Sequence, residues 1–375
     1  MKGSTFIVGV IALVIGVVIG AYLIPGGEQP ATTASVEGTS APPAEAEPAS
    51  GLGAPIRWKM ASSFTGETVQ LGDQGRLIEE RVNTLSGGNM QLKFFEPGAL
   101  VPALEIFDAV STGAVDAGWT AAGYWAGKVP ALQFFTAVPF GPSAGEAVAW
   151  MFFGGGQELF EELYKPHNIY SMPCNMISPE GSGWFRNEIT SLDDLKGLKM
   201  RFFGLGAKVM EKVGVSTQLL AGGDIFPALE LGTIDATEYS MPAIDLDLGF
   251  YQVAKHYYFP GWHQPMSMGE LMFNLEKWNG LSDGQREILK AVCKESMLRG
   301  FAQGEAIQFP ALQELESKGV QIHRWSPEIL GALEAAWNEV VVEEAAENED
   351  FARVWKSLSE FRKNYKIWGD MGYLD

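Results

Sequence analysis

The chain has 375 residues, 46% of them hydrophobic and 11% aromatic, which suits two globular lobes with a core in each. Lys+Arg 27 against Asp+Glu 46 gives a net charge of -19 with no basic patch. Nucleic acid is therefore excluded as a partner, because binding phosphates requires concentrated Lys and Arg.

The first element is the apolar run from Phe6 to Ile24 (FIVGVIALVIGVVIGAYLI), which as a helix rises roughly 28 Å and spans a bilayer core. Lys2 is the only charge before it, a weak cue that leaves the short end in the cytoplasm and exports the rest. A cleaved signal peptide is the competing reading. No clean small-x-small cleavage site follows the run and no Cys lies near it to carry a lipid, so an uncleaved anchor is expected over residues 1–24. Residues 25–54 (PGGEQPATTASVEGTSAPPAEAEPASGLGA) lack apolar periodicity and read as a disordered tether.

Folded sequence is expected from residue 55. IRWKMASSF reads as a first strand ending in a polar loop at Ser62 and Ser63. Helical spacing follows from Leu71 to Val82, then GGN marks a turn and MQLKFF a second strand. An internal repeat is the most informative feature: Glu105 to Gly118 reads EIFDAVSTGAVDAG, and Asp224 to Thr237 reads DIFPALELGTIDAT. In each copy a short helix ends at a Gly (Gly113, Gly232) and a strand begins with Val115-Asp116 or Ile234-Asp235. So many ungapped matches point to two related lobes rather than to chance likeness of two helix-turn-strand units. The repeat equates Trp119 with Glu238 and Thr120 with Tyr239. Ligands of α/β sheets bind outside the carboxyl ends of strands, so these four positions are expected to face a cleft.

Beyond Gly280 the chain turns helical, with apolar spacing near 3.6, a Ser/Asp start and a further helix from about Pro327 to Glu347. The tail from Asp350 to Tyr365 is amphipathic; it closes the chain's own core or packs on a second copy. Cys174 and Cys293 match no metal or redox spacing, which leaves two buried small hydrophobes or one disulfide in an oxidising compartment.

The common catalytic constellations are missing. His167, His256, His263 and His323 show no ligand spacing, and neither a G-x-S-x-G elbow nor a GxxxxGK[ST] loop occurs. Gly204-Leu205-Gly206 follows a strand and opens a helix, with Asp224 near the distance of a ribose contact, but Val209 replaces the third Gly of a dinucleotide loop. A plain tight turn is expected there.

Arg201 lies inside the apolar strand Leu198 to Phe203, where a guanidinium is costly unless paired. Its fork fits the carboxylate of a bound organic acid or an internal carboxylate. Arg186 is a second candidate nearer a loop. Glu238 ends the second repeated strand, and Glu180 in the Gly-rich loop SPEGSGW is its partner across the cleft; two carboxylates there call for a cation, and hard oxygen ligands suit Na+ or Ca2+. Two solvated surface acids, or an acid/base pair of a hydrolase, are the alternatives. Phe64, Trp119, Tyr124, Trp125, Phe203, Tyr239 and Trp262 gather around the same cleft with His263 and Gln264, which fits a small, partly apolar organic anion.

From about Trp58 to Trp368 the chain resembles the periplasmic binding proteins of TRAP transporters, in particular the subgroup binding 2-oxo acids such as pyruvate. The motifs that carry the resemblance are DAGWTAAGYWAGKVPALQFFTAVPFG (Asp116 to Gly141), GSGWFRNEITSLDDLKGLKMR (Gly181 to Arg201), FPALELGTIDATEY (Phe226 to Tyr239) and YYFPGWHQP (Tyr257 to Pro265). It implies an α/β, two-lobed fold with hinge-connected lobes and a C-terminal helix. Lobe I would span about 55–175 and 265–305, lobe II about 176–264 and 306–348, and 349–375 would be a helix that can dimerise. It further implies that Arg201 grips the ligand carboxylate and that Glu238, the Tyr239 backbone and Glu180 hold a cation bridging the ligand's carboxylate and keto oxygen. Tyr239 stands where the family has Trp, and Glu180 where it has Gln; the added charge favours Ca2+ over Na+. The implied partners are a small organic acid, the small and large membrane subunits of the transporter and a second copy. A periplasmic location tethered to the inner membrane follows, with a tethered carboxylate sensor or an exported carboxylate-based hydrolase as alternatives.

Overall fold

The computed structural model describes residues 52–373. The apolar run 6–24 and nearly all of the 25–54 linker lie outside them; among the described residues no helix is long and apolar enough to cross a membrane.

Among the described residues eleven strands build two sheets: β1 (Ile56–Ser62), β2 (Met90–Phe95), β3 (Ala117–Thr120), β4 (Ile169–Ile177), β5 (Gly183–Phe185), β6 (Lys199–Arg201), β7 (Ser216–Gln218), β8 (Ala236–Thr237), β9 (His256–Phe259), β10 (Ser267–Asn274) and β11 (Gln321–Arg324). Their orders are β2-β1-β3-β10-β4 and β11-β9-β5-β8-β6-β7. One plan underlies both. In the first, β1 lies parallel between β2 and β3, and β3 pairs antiparallel with β10. In the second, β6 lies parallel between β7 and β8, and β8 pairs antiparallel with β5.

The sequence repeat sits at corresponding places in this plan. The helices Ile106–Ser111 and Gly222–Glu230 end at Gly113 (φ 77°) and Gly232 (φ 71°), left-handed positions that an L side chain resists. The repeated Asp then has a visible task. Asp116 Oδ2 accepts the Lys59 N–H at 2.7 Å, and Asp235 Oδ2 accepts the Lys199 N–H at 3.0 Å, fastening β3 to β1 and β8 to β6.

The chain passes between the sheets through residues 178–182, joining β4 to β5, and through 260–266, joining β9 to β10. The two crossings touch: the Glu180 N–H donates to the Gln264 carbonyl at 3.2 Å, and a Cβ on Gly261 would overlap the Glu180 carbonyl. The helix Asp283–Ser317, capped by a Ser282/Gln285 box, is 35 residues long, or roughly 52 Å at 1.5 Å per residue. Its Leu289 and Val292 pack into the core of the first sheet, and its Leu315 into that of the second. Where it passes β4 it carries glycines: a Cβ on Gly300 would overlap Asn175 Oδ1, and one on Gly304 would lie 2.5 Å from Ser178 Oγ.

Cys174 in β4 and Cys293 in this helix form a disulfide, with Cα atoms 4.2 Å apart. The reading of two unpaired small hydrophobes is thus corrected. The partners are 119 residues apart in sequence and meet only because the helix packs on β4. Helices Pro327–Glu347 and Glu349–Gly372 end the chain. The last buries Phe351, Val354 and Leu358 and leaves Ile367, Trp368 and Met371 exposed.

Candidate binding site

A cavity of about 50 Å³ lies at the carboxyl ends of the central strands, walled by Phe64, Tyr124, Glu180, Arg201, Phe203 and Tyr239 among others. That is several times the space that one water needs. Arg201 ends β6 and is 1% exposed. Its Nη1 donates at 2.7 Å both to the Glu238 carbonyl and to Glu238 Oε1, and its Nε donates to the Leu220 carbonyl. The Tyr239 ring lies 5.2 Å and the Phe203 ring 5.9 Å from the guanidinium carbon. Phe203 in turn packs edge-on against Tyr124, and its ring lies over Gly123, where any Cβ would overlap it.

Glu180 and Glu238 are buried, at 3% and 0% exposure, which removes the reading of two surface acids. One oxygen of each is satisfied. Glu238 Oε1 also accepts the Phe203 N–H at 2.5 Å, while Glu180 Oε1 accepts Gln264 Nε2 at 3.0 Å and Ser267 Oγ at 2.9 Å. The second oxygen of each, and both ring nitrogens of His263, have no hydrogen-bond partner among the described residues. Donor atoms of these three residues lie within 4.8 Å of one another. Burial, then the charge of Glu238, pushes the Glu180 carboxyl well above its ordinary range. A carboxylate oxygen buried without a donor is costly, and a cation between the two removes that cost. The residues present fit a bound cation.

Burial also raises the Tyr124 hydroxyl, opposed by the adjacent Arg201 charge, and raises Tyr239 further. Behind the site Asp245 accepts from Trp184 Nε1, Tyr257 Oη and the Ser240 N–H; burial pushes it up to about 7.

Several sequence expectations meet here and others do not. Phe64, Tyr124, Glu180, Arg201, Phe203, Tyr239 and Gln264 line the cavity; Glu238 and His263 stand directly behind it. Trp119 does not line it. Its indole is fully buried beneath the helix Gly72–Leu85 and donates to the Leu71 carbonyl at 2.7 Å, because its side of β3 faces the core. Thr120 turns to Ser63 Oγ at 2.7 Å. Trp125 donates to buried Glu270, and Trp262 stacks on Phe140. Arg186 is spent on the Val253 and Leu229 carbonyls. Gly204, at φ 66°, is a tight turn before the helix Leu205–Lys212. Asn175 and Ser267 also line the cavity and were missed. A lone Asn in the apolar stretch of β4 was the one available signal for them.

Residues 61–348 match the profile of the bacterial extracellular solute-binding proteins, family 7 (DctP). A monocarboxylate 2-oxoacid-binding periplasmic protein of Nostoc sp. is 36% identical over 319 residues, 85% of this chain and 87% of that one. A TRAP transporter solute-binding protein from Bordetella bronchiseptica, a mixed-occupancy dimer with a calcium- and picolinate-bound site and an apo site, superposes with a TM-score of 0.83 at 34% identity. That match covers 85% of this chain and 95% of the other. A TRAP periplasmic solute-binding protein from Pseudoalteromonas atlantica with bound sodium and pyruvate gives 0.82 at 32% identity, covering 85% and 97%.

Proposed function

Because the chain belongs to the bacterial extracellular solute-binding proteins of family 7, we propose that it captures a small 2-oxo monocarboxylate such as pyruvate, with a bound Na+ or Ca2+, for uptake by a TRAP transporter. The observation that carries this reading is the buried Arg201 guanidinium on the wall of a cavity of about 50 Å³, beside two buried carboxylates that each keep one oxygen free of donors. Arg201 holds the ligand carboxylate with charge-assisted hydrogen bonds. Glu180, Glu238 and the Tyr239 backbone carbonyl hold the cation, which supplies positive charge to the ligand's oxygens. Phe64, Tyr124, Phe203 and Tyr239 enclose the rest of the acid, and Gln264 orients Glu180. The relatives from Bordetella bronchiseptica and Pseudoalteromonas atlantica support a ligand of this type, since picolinate, like pyruvate, presents a carboxylate and an adjacent second donor.

The family match supports the receptor reading over the hydrolase alternative. Two lobes, about 55–175 with 265–305 and about 176–264 with 306–348, close over the ligand by pivoting at the crossings. Residues 1–24 tether the protein beside the small and large membrane subunits. The exposed end of Glu349–Gly372 packs on a second copy, and the dimer of the Bordetella bronchiseptica relative supports that arrangement. The test is a thermal-shift titration of the metal-stripped full-length chain with pyruvate, with and without Na+ or Ca2+. Ligand that binds only the native state raises the midpoint. The reading requires a cation-dependent rise that is lost in Arg201→Met; no rise with any small carboxylate ends it.

A further inference from the structure

Gln70 is fully buried at φ 63°, a left-handed value that a residue with a side chain resists, and the Leu71 N–H donates across it to the Val69 carbonyl at 2.8 Å. A hydrogen bond from i+2 back to i around a positive φ is the rare, strained form of the γ-turn. Glycine would adopt this turn at no steric cost, so the side chain at position 70 has a task of its own. Its Nε2 donates to the Gly300 carbonyl of the long helix at 2.8 Å, while its Oε1 is buried with no hydrogen-bond partner among the described residues. A strained backbone and a half-satisfied amide both cost stability. What they secure is aim.

The turn directs the Gln70 carbonyl at Asn175 Nδ2, 2.8 Å away, and Asn175 Oδ1 accepts the Met176 N–H at 2.9 Å. Both ends of the Asn175 amide are thereby fixed, against a helix so close that a Cβ on Gly300 would overlap Oδ1. Asn175 is buried and lines the cavity from the first sheet, whereas Arg201 lines it from the second. One Nδ2 hydrogen goes to Gln70, and among the described residues no acceptor takes the other.

We propose that Asn175 donates its remaining N–H to the 2-oxygen of the bound acid, and that Gln70 is the positioning residue that holds it there. The inference rests on the binding reading above and adds what separates a 2-oxo acid from the plain carboxylate of the same chain length. Arg201 reads the carboxylate, which both acids have; Asn175 reads the oxygen that only one has. A carbonyl oxygen carries two lone pairs, so the N–H and the cation can share it. The competing account makes Gln70 a stitch between its loop and the long helix, with no bearing on which acid binds.

The two accounts separate when the full-length chain, with Na+ or Ca2+ present, is titrated calorimetrically with pyruvate and with propionate. Loss of one neutral hydrogen bond weakens binding by up to about tenfold, so Asn175→Ala is expected to weaken pyruvate by about that factor and propionate by less than about twofold. Gln70→Gly keeps the turn but frees it from the helix, and is expected to lower the same ratio of affinities in smaller measure. Residues that act through one another are not additive, so in the Asn175→Ala background Gln70→Gly should add less than about twofold. Equal losses for the two acids overturn the role of Asn175, and full additivity of the two substitutions overturns that of Gln70; in both cases the 2-oxo acid reading stands. Should the unmodified protein bind no pyruvate with either cation, the functional reading fails and this inference with it. If Gln70→Gly does not fold, Gln70→Asn takes its place, since Asn tolerates the same backbone but is one methylene shorter on the side towards Gly300.

Discussion

In the first sheet β1 runs Lys59-Met60-Ala61, and β3 beside it carries Trp119; in the second, β6 runs Lys199-Met200-Arg201, and β8 leads into Glu238. The registers make these positions equivalent, with Met60 opposite Ala117 and Met200 opposite Ala236. Both copies keep the Lys backbone bonded to the repeated Asp. One copy then places a small residue and a large indole where the other places a guanidinium and a carboxylate. The same backbone thus supplies a packed floor on one side and a charged seat on the other. A buried ion pair contributes little to stability over apolar residues of similar volume. On the proposed function, the ligand is what keeps the charged version.

That comparison can be broken most forcefully at Arg201. Replacing it by Met leaves Glu238 buried without its cation, at a cost of about 3–5 kcal/mol. Adding Glu238→Leu, which makes the second copy resemble the first, is expected to recover about 2 kcal/mol in urea unfolding while pyruvate binding stays abolished. A double variant no more stable than Arg201→Met would show that the pair holds the fold. The next effect concerns the cross-link, which only the first sheet carries. Reduction, or Cys174→Ser with Cys293→Ser, is expected to cost about 3 kcal/mol, read as a fall in the unfolding midpoint, with a smaller change in ligand affinity.

Trp119→Phe should cost about 1–2 kcal/mol, since it leaves the buried Leu71 carbonyl without its donor, while pyruvate affinity changes less than about twofold. A large loss of affinity would put Trp119 back in the site. The smallest effect is a pH slope from the second sheet. Burial holds Asp245 at about 7 against an ordinary 3.8, so between those values the native state binds more protons than the unfolded chain. Stability from this group is full below the ordinary carboxylate range and falls as pH rises towards 7. Asp245→Asn should flatten the midpoint's decline between pH 4.5 and 7; an unchanged slope would assign it to other buried acids such as Glu270, whose carboxyl burial also raises.

Much of the fold was legible because its signals are local. The Gly-terminated helices, the repeated Asp and the Ser282 cap each act within a few residues, so the repeat and the helix starts could be read directly. Arg201 and Glu238 stood out for the opposite reason, as charges in apolar strands that the chain could not bury unpaired. The repeat misled at Trp119: it equates positions along a strand but says nothing of which chemistry each copy retains. The disulfide, the Ser267 contact to Glu180 and the approach of His263 to two carboxylates depend on packing between elements far apart in sequence, and no spacing rule encodes them.

The glycines at 300 and 304 give the long helix an unusual bearing on β4. Backbone meets side chain there without an interlocking knob, just before the chain leaves for the first crossing. A ridge of larger residues would gear the helix to the strand, whereas these glycines leave a smooth notch along a rod of roughly 52 Å. A methyl at position 300 would jam the notch against Asn175, on the wall of the cavity itself. The close approach of the helix and the cavity wall therefore share one residue.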